Sequence, residues 1–222
     1  MNIFIVVPFR NEKKHIVDVV KGLSKYKLPI VLVDDGSTDK SGLKIEGLRL
    51  KNLTLLTHKV NLGKGAAMKT GAEYAFANGA GAIIFMDGDN QHDPSDLPKF
   101  TKELEKGNVE AVFGARNFAG GVPLIRLLGN KFASFIIRVL FGIKVSDVLC
   151  GFKALTGKAY KKIKWESTGY GVETEMIARA GKTKLKFSEV TVRAIYHDKV
   201  KGVTILDAIG IMGEIVKWWF TI

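Results

Sequence analysis

The sequence predicts an α/β domain with a mainly parallel, Rossmann-like sheet flanked by helices. Two observations predict this class. Short apolar runs rich in β-branched residues alternate with stretches whose apolar residues recur at helical spacing. The ends of the predicted strands also carry polar or glycine-rich segments, and parallel α/β sheets bind their ligands at those ends. We therefore expect a ligand site along one edge of the sheet.

Length, charge and cysteine content narrow the function classes. The chain has 222 residues, enough for one domain with a sizeable core, and a formal net charge of +12. That charge favours anionic partners such as nucleic acid, an acidic membrane surface or phosphorylated small molecules. The one cysteine, Cys150, excludes an intramolecular disulfide and fits a reducing compartment. Met1 leads directly into an apolar strand, so a signal peptide is not expected.

Five strands and three helices can be placed from the pattern. The strands are predicted at residues 3–7, 30–33, 53–56, 82–86 and 111–114. The first helix is indicated by Ile16, Val19, Val20 and Leu23; the second begins near Gly63–Gly65 and is indicated by Ala67, Gly71, Tyr74 and Ala75. The third has Asp93 as N-cap, Pro94 as its first residue, and Leu97, Phe100 and Leu104 as its buried stripe.

Asp87 and Asp89 follow the fourth predicted strand directly. Residues two apart in an extended chain point to the same side, so both carboxylates can converge on one spot. Two such anions repel each other unless a cation or a shared proton offsets them. The pattern favours Mg²⁺ or Mn²⁺ holding a diphosphate, since these ions prefer oxygen ligands. The alternative is an Asp-Gly-Asp turn that simply ends the strand.

Polar or glycine-rich residues end the other predicted strands as well. Asp34 and Asp35 can accept hydrogen bonds from a base or a ribose, although Asp-Asp-Gly-Ser is also a common helix-starting turn. Gly63-Lys64-Gly65 lets backbone N–H groups and a lysine approach a ligand at a helix N-terminus. The spacing of a Walker A loop is missing, and no Gly-x-Gly-x-x-Gly follows the first strand, which counts against a dinucleotide site.

Five segments together resemble family 2 glycosyltransferases. They are VPFRNE (7–12), VDDGS (33–37), NLGKG (61–65), MDGDNQH (86–92) and DVLCGFK (147–153), and they stand in the order seen in that family. The resemblance covers nearly the whole chain. Within the family it is to the polyprenyl-phosphate branch, which is typified by dolichyl-phosphate mannose synthase. It implies the A-type glycosyltransferase fold, a GDP- or UDP-sugar donor, and Mg²⁺ or Mn²⁺.

The resemblance also implies roles for individual residues. Asp89 and Gln91 would ligate the metal, and Asp87 would lie beside the sugar and diphosphate of the donor. The remaining donor-binding candidates are Pro8, Arg10, Glu12, Asp34, Asp35, Gly63, Lys64 and Lys201. Lys201 lies in a basic segment (196–204) whose spacing departs from the family's Arg-x-x-Gly-x-Ser-Lys loop, and Lys199 is the other candidate there.

Basic residues are expected to bind the acceptor phosphate, because the reaction must bring two anions together. Arg116, at the position of the family's Ser-Arg pair, and Arg126 are the candidates, while Asp147 would border the acceptor site or orient a basic residue. Cys150 and Lys153 replace the family's usual Ser and Arg and roughly keep size or charge. Glu173 and Glu175 match an acidic pair of this branch, yet on a helix they could simply be exposed; we keep Glu175 as a weak candidate.

Two apolar segments raise the question of membrane contact. Residues 132–141 are too few to span a bilayer, and the 205–222 segment contains Asp207, Glu214 and Lys217. Both segments fit the interface plane, with Trp218, Trp219 and Phe220 at headgroup level, or equally an ordinary packing on the domain. We expect a catalytic domain at 1–195, with 196–222 forming a basic loop and an amphipathic helix of the same domain.

The resulting expectation is an inverting, metal-dependent transferase at the membrane. It would move mannose or glucose from a GDP- or UDP-sugar to a polyprenyl (dolichyl) phosphate, as a peripheral protein on the cytoplasmic face. The alternative is a family 2 enzyme that acts on a soluble, protein or polysaccharide acceptor. A basic nucleic-acid-binding module is a third possibility, but the sequence has no recognition-helix, zinc or aromatic RNA-binding signature, so no nucleic-acid partner is expected.

Overall fold

The computed structural model describes residues 1–48, 50–117, 124–195 and 205–222, and it describes their side chains except at 124–128 and 205–209. The strands in these ranges are β1 (Ile3–Phe9), β2 (Ile30–Asp34), β3 (Leu53–Thr57), β4 (Ala82–Phe85), β5 (Ala111–Asn117), β6 (Lys153–Thr156) and β7 (Phe187–Arg193). The α-helices are α1 (Ile16–Ser24), α2 (Ser41–Glu46), α3 (Lys64–Ala77), α4 (Leu97–Glu105), α5 (Leu124–Phe141), α6 (Gly157–Ile163), α7 (Val172–Lys182) and α8 (Ile205–Thr221).

The strands form one seven-stranded sheet in the order β3-β2-β1-β4-β6-β5-β7. β1 pairs in parallel with β2 and β4, β2 with β3, and β5 with β7. β6 runs antiparallel to both of its neighbours, β4 and β5. The parallel pairs put the carboxyl ends of β1, β2, β3 and β4 at one edge, which confirms the predicted mainly parallel α/β class.

Alternating strand residues feed two hydrophobic layers, one on each face of the sheet. Ile3, Ile5 and Val7 of β1 pack with apolar residues of α1, α2 and α4. Phe4 and Val6 pack with residues of α3 and of α5 to α8. Because β1 is covered on both faces, all seven of its residues are buried.

The predicted helices form where the apolar spacing placed them. The stripe of α1 is buried, as is the stripe of α4. The N-cap at Asp93 is also confirmed: its side chain accepts a hydrogen bond from the Ser95 N–H, and a short 3₁₀ turn, Pro94–Asp96, leads into α4. The pattern did not predict α2, β6, α6 or β7, whereas the helix expected around Glu173 and Glu175 forms as α7.

The C-terminal helix α8 packs on α5 and α7. Trp218 is buried, whereas Trp219 and Phe220 are exposed, so the expectation of three aromatic side chains at headgroup level is wrong for Trp218. Across the described ranges, no helix combines the length and the apolar character that crossing a membrane requires. Residues 196–204 lie outside the described residues, so the boundary at 195/196 stays a prediction.

Candidate active site

A cleft of about 360 Å³ opens where β1, β2 and β4 end. Its lining residues are Pro8, Phe9, Arg10, Glu12, Asp35, Asn61, Gly63, Lys64, Ala67, Asp87, Gly88, Asp89, Gly169 and Tyr170. Most of the donor-binding candidates are therefore together, because the parallel strands deliver their exits to the same edge. Of the other candidates, Lys199 and Lys201 lie outside the described residues, and the side chain of Arg126 does too.

Asp87 and Asp89 lie side by side at the end of β4. Burial favours the neutral acid at Asp87, but the Lys64 ammonium, 2.6 Å from Asp87 Oδ1, holds the pKa of Asp87 below its usual value. For Asp89, burial and then the charge of Asp87 raise the pKa to about 6. The charge of Lys64 thus outweighs the effect of burial at Asp87 but not at Asp89.

The residues around Asp89 fit a hard divalent cation. Asp89 Oδ1 accepts a hydrogen bond from the backbone N–H of Gln91 at 3.0 Å, which fixes that carboxylate against the turn that carries Gln91. Within the described parts of the chain, no group of three or more His, Cys, Asp or Glu side chains is placed to hold a metal. Two carboxylates and an amide oxygen supply few ligands, which suits Mg²⁺ or Mn²⁺, since these ions complete their coordination with water and phosphate oxygens.

Lys64, the first residue of α3, joins Asp87 to a carboxylate from another part of the chain. Its Nζ lies 2.5 Å from Oε1 of Glu173 in α7. Burial disfavours a charged lysine, but the carboxylates of Asp87 and Glu173 outweigh this effect and raise the pKa of Lys64. The sequence did not indicate this contact, because Glu173 lies more than a hundred residues from Lys64.

Glu175 is buried but does not line the cleft. Its two oxygens accept hydrogen bonds from the N–H groups of Glu166 and Ser167 and from Nε of Arg179. Glu175 therefore holds the 166–168 segment in place. The alternative that Glu173 and Glu175 are exposed helix residues is wrong for both: Glu173 pairs with the distant Lys64, and Glu175 is buried against Ser167 and Arg179.

The glycines of the NLGKG segment serve close packing rather than ligand approach. The N–H groups of Gly65 and Ala66 donate to the carbonyl of Thr168, and the Gly63 N–H donates to Asp35 Oδ2. A Cβ at Gly63 or Gly65 would clash with the backbone of residues 167–168. The N–H groups of Gly63 and Gly65 are thus hydrogen-bonded inside the protein, whereas Gly63 itself and the Lys64 side chain line the cleft, so Gly63 stays a predicted donor contact.

Asp34 and Asp35 both organise the loops at the end of β2. Asp35 accepts hydrogen bonds from the N–H groups of Leu62 and Gly63 and contacts His58 Nδ1 at 2.8 Å. Asp34 accepts from the Ser37 N–H at 2.8 Å. Both side chains are buried, but Asp35 lines the cleft and Asp34 does not.

Arg116 and Asp147 form a buried, bidentate ion pair beside the cleft. Arg116 Nε and Nη2 lie 2.6 and 2.9 Å from the two Asp147 oxygens, and the Arg116 N–H donates to Asp147 at 3.1 Å. The Asp147 side chain is 1% exposed and that of Arg116 is 21% exposed. Asp147 thus fixes the direction of Arg116 at the end of β5.

The DVLCGFK segment packs under Asp87. A Cβ at Gly151 would clash with the Asp87 carboxylate, so glycine is required there. Burial raises the pKa of the Cys150 thiol to about 12. Lys153 is fully buried, donates to the carbonyl of Val148 at 3.2 Å, and lies over the ring of Phe113. Both replacements of the family pattern are thus core positions.

Six lining residues were not among the candidates: Phe9, Asn61, Ala67, Gly88, Gly169 and Tyr170. Asn61 belongs to the quoted NLGKG segment and was within reach of the motif argument. Gly169 and Tyr170 lie just before α7, and no local pattern marks them.

Comparisons with known proteins agree with this geometry. The model of the family described as glycosyl transferase family 2 matches residues 4–164. The chain is 30% identical, over 217 residues, to a UDP-N-acetylglucosamine–dolichyl-phosphate N-acetylglucosaminyltransferase of Methanococcus voltae, covering 88% of this chain and 86% of the relative. It is 26% identical, over 231 residues, to the polyprenol monophosphomannose synthase of Mycolicibacterium smegmatis, covering 96% and 85% of the two chains.

A solved structure shares the fold. Glucosyl-3-phosphoglycerate synthase from Mycobacterium tuberculosis, in complex with Mn²⁺, UDP and phosphoglyceric acid, superposes with a TM-score of 0.77 at 16% identity, covering 98% of this chain and 78% of that one. The sheet and its helices therefore have the A-type glycosyltransferase fold.

Proposed function

Since this chain belongs to glycosyltransferase family 2, we propose that it transfers a hexose from a GDP- or UDP-sugar to a polyprenyl phosphate, with Mg²⁺ or Mn²⁺ as cofactor. The observation that carries the proposal is the convergence of Asp87, Asp89 and Lys64 in one cleft at the carboxyl edge of the sheet. Relatives that span nearly the whole chain and are named for dolichyl or polyprenyl phosphate support the acceptor class.

The proposed reaction is a single displacement with inversion at the anomeric carbon. A phosphate oxygen of the acceptor forms a bond to that carbon. The bond from that carbon to the donor's diphosphate breaks, and its electron pair leaves with the nucleoside diphosphate. A phosphate monoester is largely ionised at neutral pH, so the attacking oxygen needs no general base. When bound, the divalent cation neutralises charge on the leaving diphosphate.

The protein's own residues bind and orient the two anionic substrates. Asp89 and Gln91 are proposed as metal ligands, and Asp87 and Lys64 as groups beside the donor's sugar and diphosphate. Arg116 is proposed to bind the acceptor phosphate, because Asp147 fixes its guanidinium at the end of β5. Pro8, Arg10, Glu12, Asp34, Asp35, Gly63 and Lys201 stay proposed donor contacts, and Arg126 a second phosphate contact.

Apolar and basic side chains together expose a surface suited to a lipid acceptor. On α5, Phe132 and Phe135 are 55% and 60% exposed, and on the adjacent α8, Phe220 is 75% exposed. Among the described side chains of these two helices, the exposed basic residues are Lys131, Arg138 and Lys217. We propose that this α5–α8 surface rests on an anionic membrane, on its cytoplasmic face, as a peripheral contact.

An acceptor and donor panel tests the proposed function. The protein is incubated with Mn²⁺, a short prenyl phosphate and each of several GDP- and UDP-sugars, and the organic phase is scored for sugar. We expect extractable product with at least one donor, and none without the prenyl phosphate. Transfer only to soluble, protein or polysaccharide acceptors would replace the lipid acceptor with the alternative function.

Vesicle sedimentation tests the membrane proposal separately. We expect binding to vesicles with an anionic lipid, weaker binding to neutral vesicles, and a loss when Phe135 and Phe220 are both replaced by serine. A matched control replaces exposed apolar residues away from this surface, Leu43 and Val60, by serine. Equal binding by the two double variants would exclude the α5–α8 surface as the contact.

A further inference from the structure

The Lys64 ammonium already occupies the carboxylate cluster of the cleft. Its Nζ lies 2.6 Å from Asp87 Oδ1 and 2.5 Å from Glu173 Oε1. The side chains of Lys64, Asp87 and Glu173 are 20%, 21% and 5% exposed, so little water screens these charges. A protein cation thus lies at the end of β4, beside the residues that fit a divalent cation.

The carboxylates of Asp87 and Asp89 differ in how their negative charge is offset. Asp87 has a full positive charge at hydrogen-bond distance, whereas Asp89 accepts a backbone N–H from Gln91 and has no salt bridge within 4.0 Å among the described residues. A divalent cation binding at Asp89 and Gln91 would meet the repulsion of the ammonium on the neighbouring Asp87. In a site that little water reaches, this repulsion is strong. The Coulomb energy of two charges increases as the effective dielectric constant decreases, and it declines only with the first power of their distance.

We propose that Lys64 is a resident counter-cation that makes metal binding depend on the donor. With Lys64 seated between Asp87 and Glu173, the site binds a free divalent cation weakly. A nucleoside diphosphate adds negative charge that attracts both the ammonium and the metal. Binding of the metal beside the ammonium therefore becomes favourable only when the donor is present. This inference rests on the proposed function, since it assumes a nucleoside diphosphate donor and a divalent cation.

Glu173 keeps the Lys64 ammonium at the carboxylate cluster. It belongs to α7, away from the motif segments, and the ammonium bridges it to Asp87 across the cleft. With two carboxylates to hold it, Lys64 is retained at the cluster rather than released to solvent. The 166–168 segment, which Glu175 holds against the start of α3, fixes the backbone from which Lys64 extends.

The test measures Mn²⁺ binding by the full chain, without and with GDP or UDP, by electron paramagnetic resonance of the free ion. Lys64→Met removes the ammonium and keeps a similar volume, and Lys64→Gln is a second form in case one of the two folds poorly. Lys164→Met is the matched control: Lys164 pairs with Glu73 on the outer side of α3, both about half exposed, so it removes the same net charge elsewhere. Glu173→Gln loosens the lysine but leaves its charge in place.

We expect the wild-type protein and Lys164→Met to bind Mn²⁺ weakly without nucleotide and much more tightly with it. A Lys64 variant should bind Mn²⁺ alone at least tenfold more tightly than wild type and gain little from nucleotide. Glu173→Gln should show a smaller gain than the Lys64 variants, because its loosened ammonium still pairs with Asp87. The same weak binding of Mn²⁺ alone by the Lys64 variants, or an equal gain in Glu173→Gln or Lys164→Met, would overturn the inference.

Failure of the proposed function would look different. In that case wild-type protein would bind no Mn²⁺ even with GDP or UDP present, and no variant would matter. Nucleotide-dependent Mn²⁺ binding in wild type together with unchanged Lys64 variants would retain the proposed function and exclude only the counter-cation.

Discussion

Lysine–carboxylate clusters lie at both ends of the sheet, and they differ in solvent exposure rather than in size. At the carboxyl edge, Lys64 is 20% exposed and Glu173 is 5% exposed, beside a cleft of about 360 Å³. At the opposite edge, a cavity of about 410 Å³ holds Glu110 with Lys158 and Lys162, whose side chains are 74% and 36% exposed. The more basic cavity is therefore the one whose charges interact more weakly.

The difference shows which features distinguish the candidate active site from another charged cavity of the same protein. At the opposite edge, Lys162 pairs with both carboxylate oxygens of Glu110. The Lys162 side chain of this pair is exposed, so water and salt screen the attraction between the two charges. At the carboxyl edge, four strand exits deliver charged side chains into a space where they perturb one another, as the pKa of about 6 at Asp89 records. Convergence and burial, and not cavity volume or net charge, identify the candidate active site.

The largest effect is expected at Asp89. Asp89→Asn removes the carboxylate that is proposed to hold the metal, so we expect sugar transfer to fall by about 10²- to 10³-fold or more. Gln91→Ala should act in the same direction. The assay is product formation with Mn²⁺, and thermal unfolding of the metal-free protein controls for folding. Full activity in both variants would refute the metal assignment.

The next largest effect is expected at Asp147. Asp147→Asn leaves the Arg116 guanidinium without its buried carboxylate, and breaking such a pair costs about 3 kcal/mol of unfolding free energy. Urea unfolding measures this loss. Activity should fall with it, mainly through a higher KM for the acceptor, since Arg116 loses its fixed direction. Unchanged stability would show that water replaces Asp147 and that the pair contributes little.

Glu175→Gln should cost about 2 kcal/mol at neutral pH, because a buried carboxylate with charged and backbone donors is replaced by an amide. Burial alone would raise the pKa of Glu175, but hydrogen bonds from Ser167, Glu166 and Arg179 lower it below 4.5. A lowered carboxyl pKa stabilises the fold above the unfolded value and loses that contribution as pH falls through the folded value.

The difference in unfolding free energy between wild type and Glu175→Gln should therefore shrink at pH values well below 4.5. Chemical denaturation at neutral and acidic pH measures this. A gap that stays constant with pH would mean that packing of the amide, and not the carboxylate charge, accounts for the loss.

The smallest effect is expected at the opposite edge of the sheet. Lys162→Met breaks the exposed pair with Glu110, and such pairs contribute about 0.2–1 kcal/mol. We expect unchanged sugar transfer and an unfolding midpoint close to wild type. A loss of activity comparable to that of a Lys64 variant would remove the distinction between the two clusters.

The parts of the fold that could be predicted are those with a local period. The stripes of α1 and α4 and the apolar run of β1 repeat at the spacing of their element, and each forms where it was expected. β6 has only four residues and contains the buried Lys153, so it shows neither an apolar run nor alternation. Its burial comes from lying between β4 and β5, which no local pattern contains.

The site was predictable to the extent that motifs carry it. Asp87, Asp89, Lys64 and Glu12 were found because strand exits of a parallel sheet must meet, and family resemblance supplied their roles. Exposure was one alternative for Glu173, because a charged side chain on a helix is usually solvated. It is buried because Lys64, far away in sequence, supplies the charge that offsets its desolvation.

Gly151 lies directly against the Asp87 carboxylate, with no room for one more carbon atom. An alanine at this position would force the Asp87 carboxylate to move, while leaving an aspartate with the same ligand type in the motif. A substitution at Gly151 therefore tests how the position of the Asp87 carboxylate affects catalysis, while substitutions of Asp87 itself test its charge.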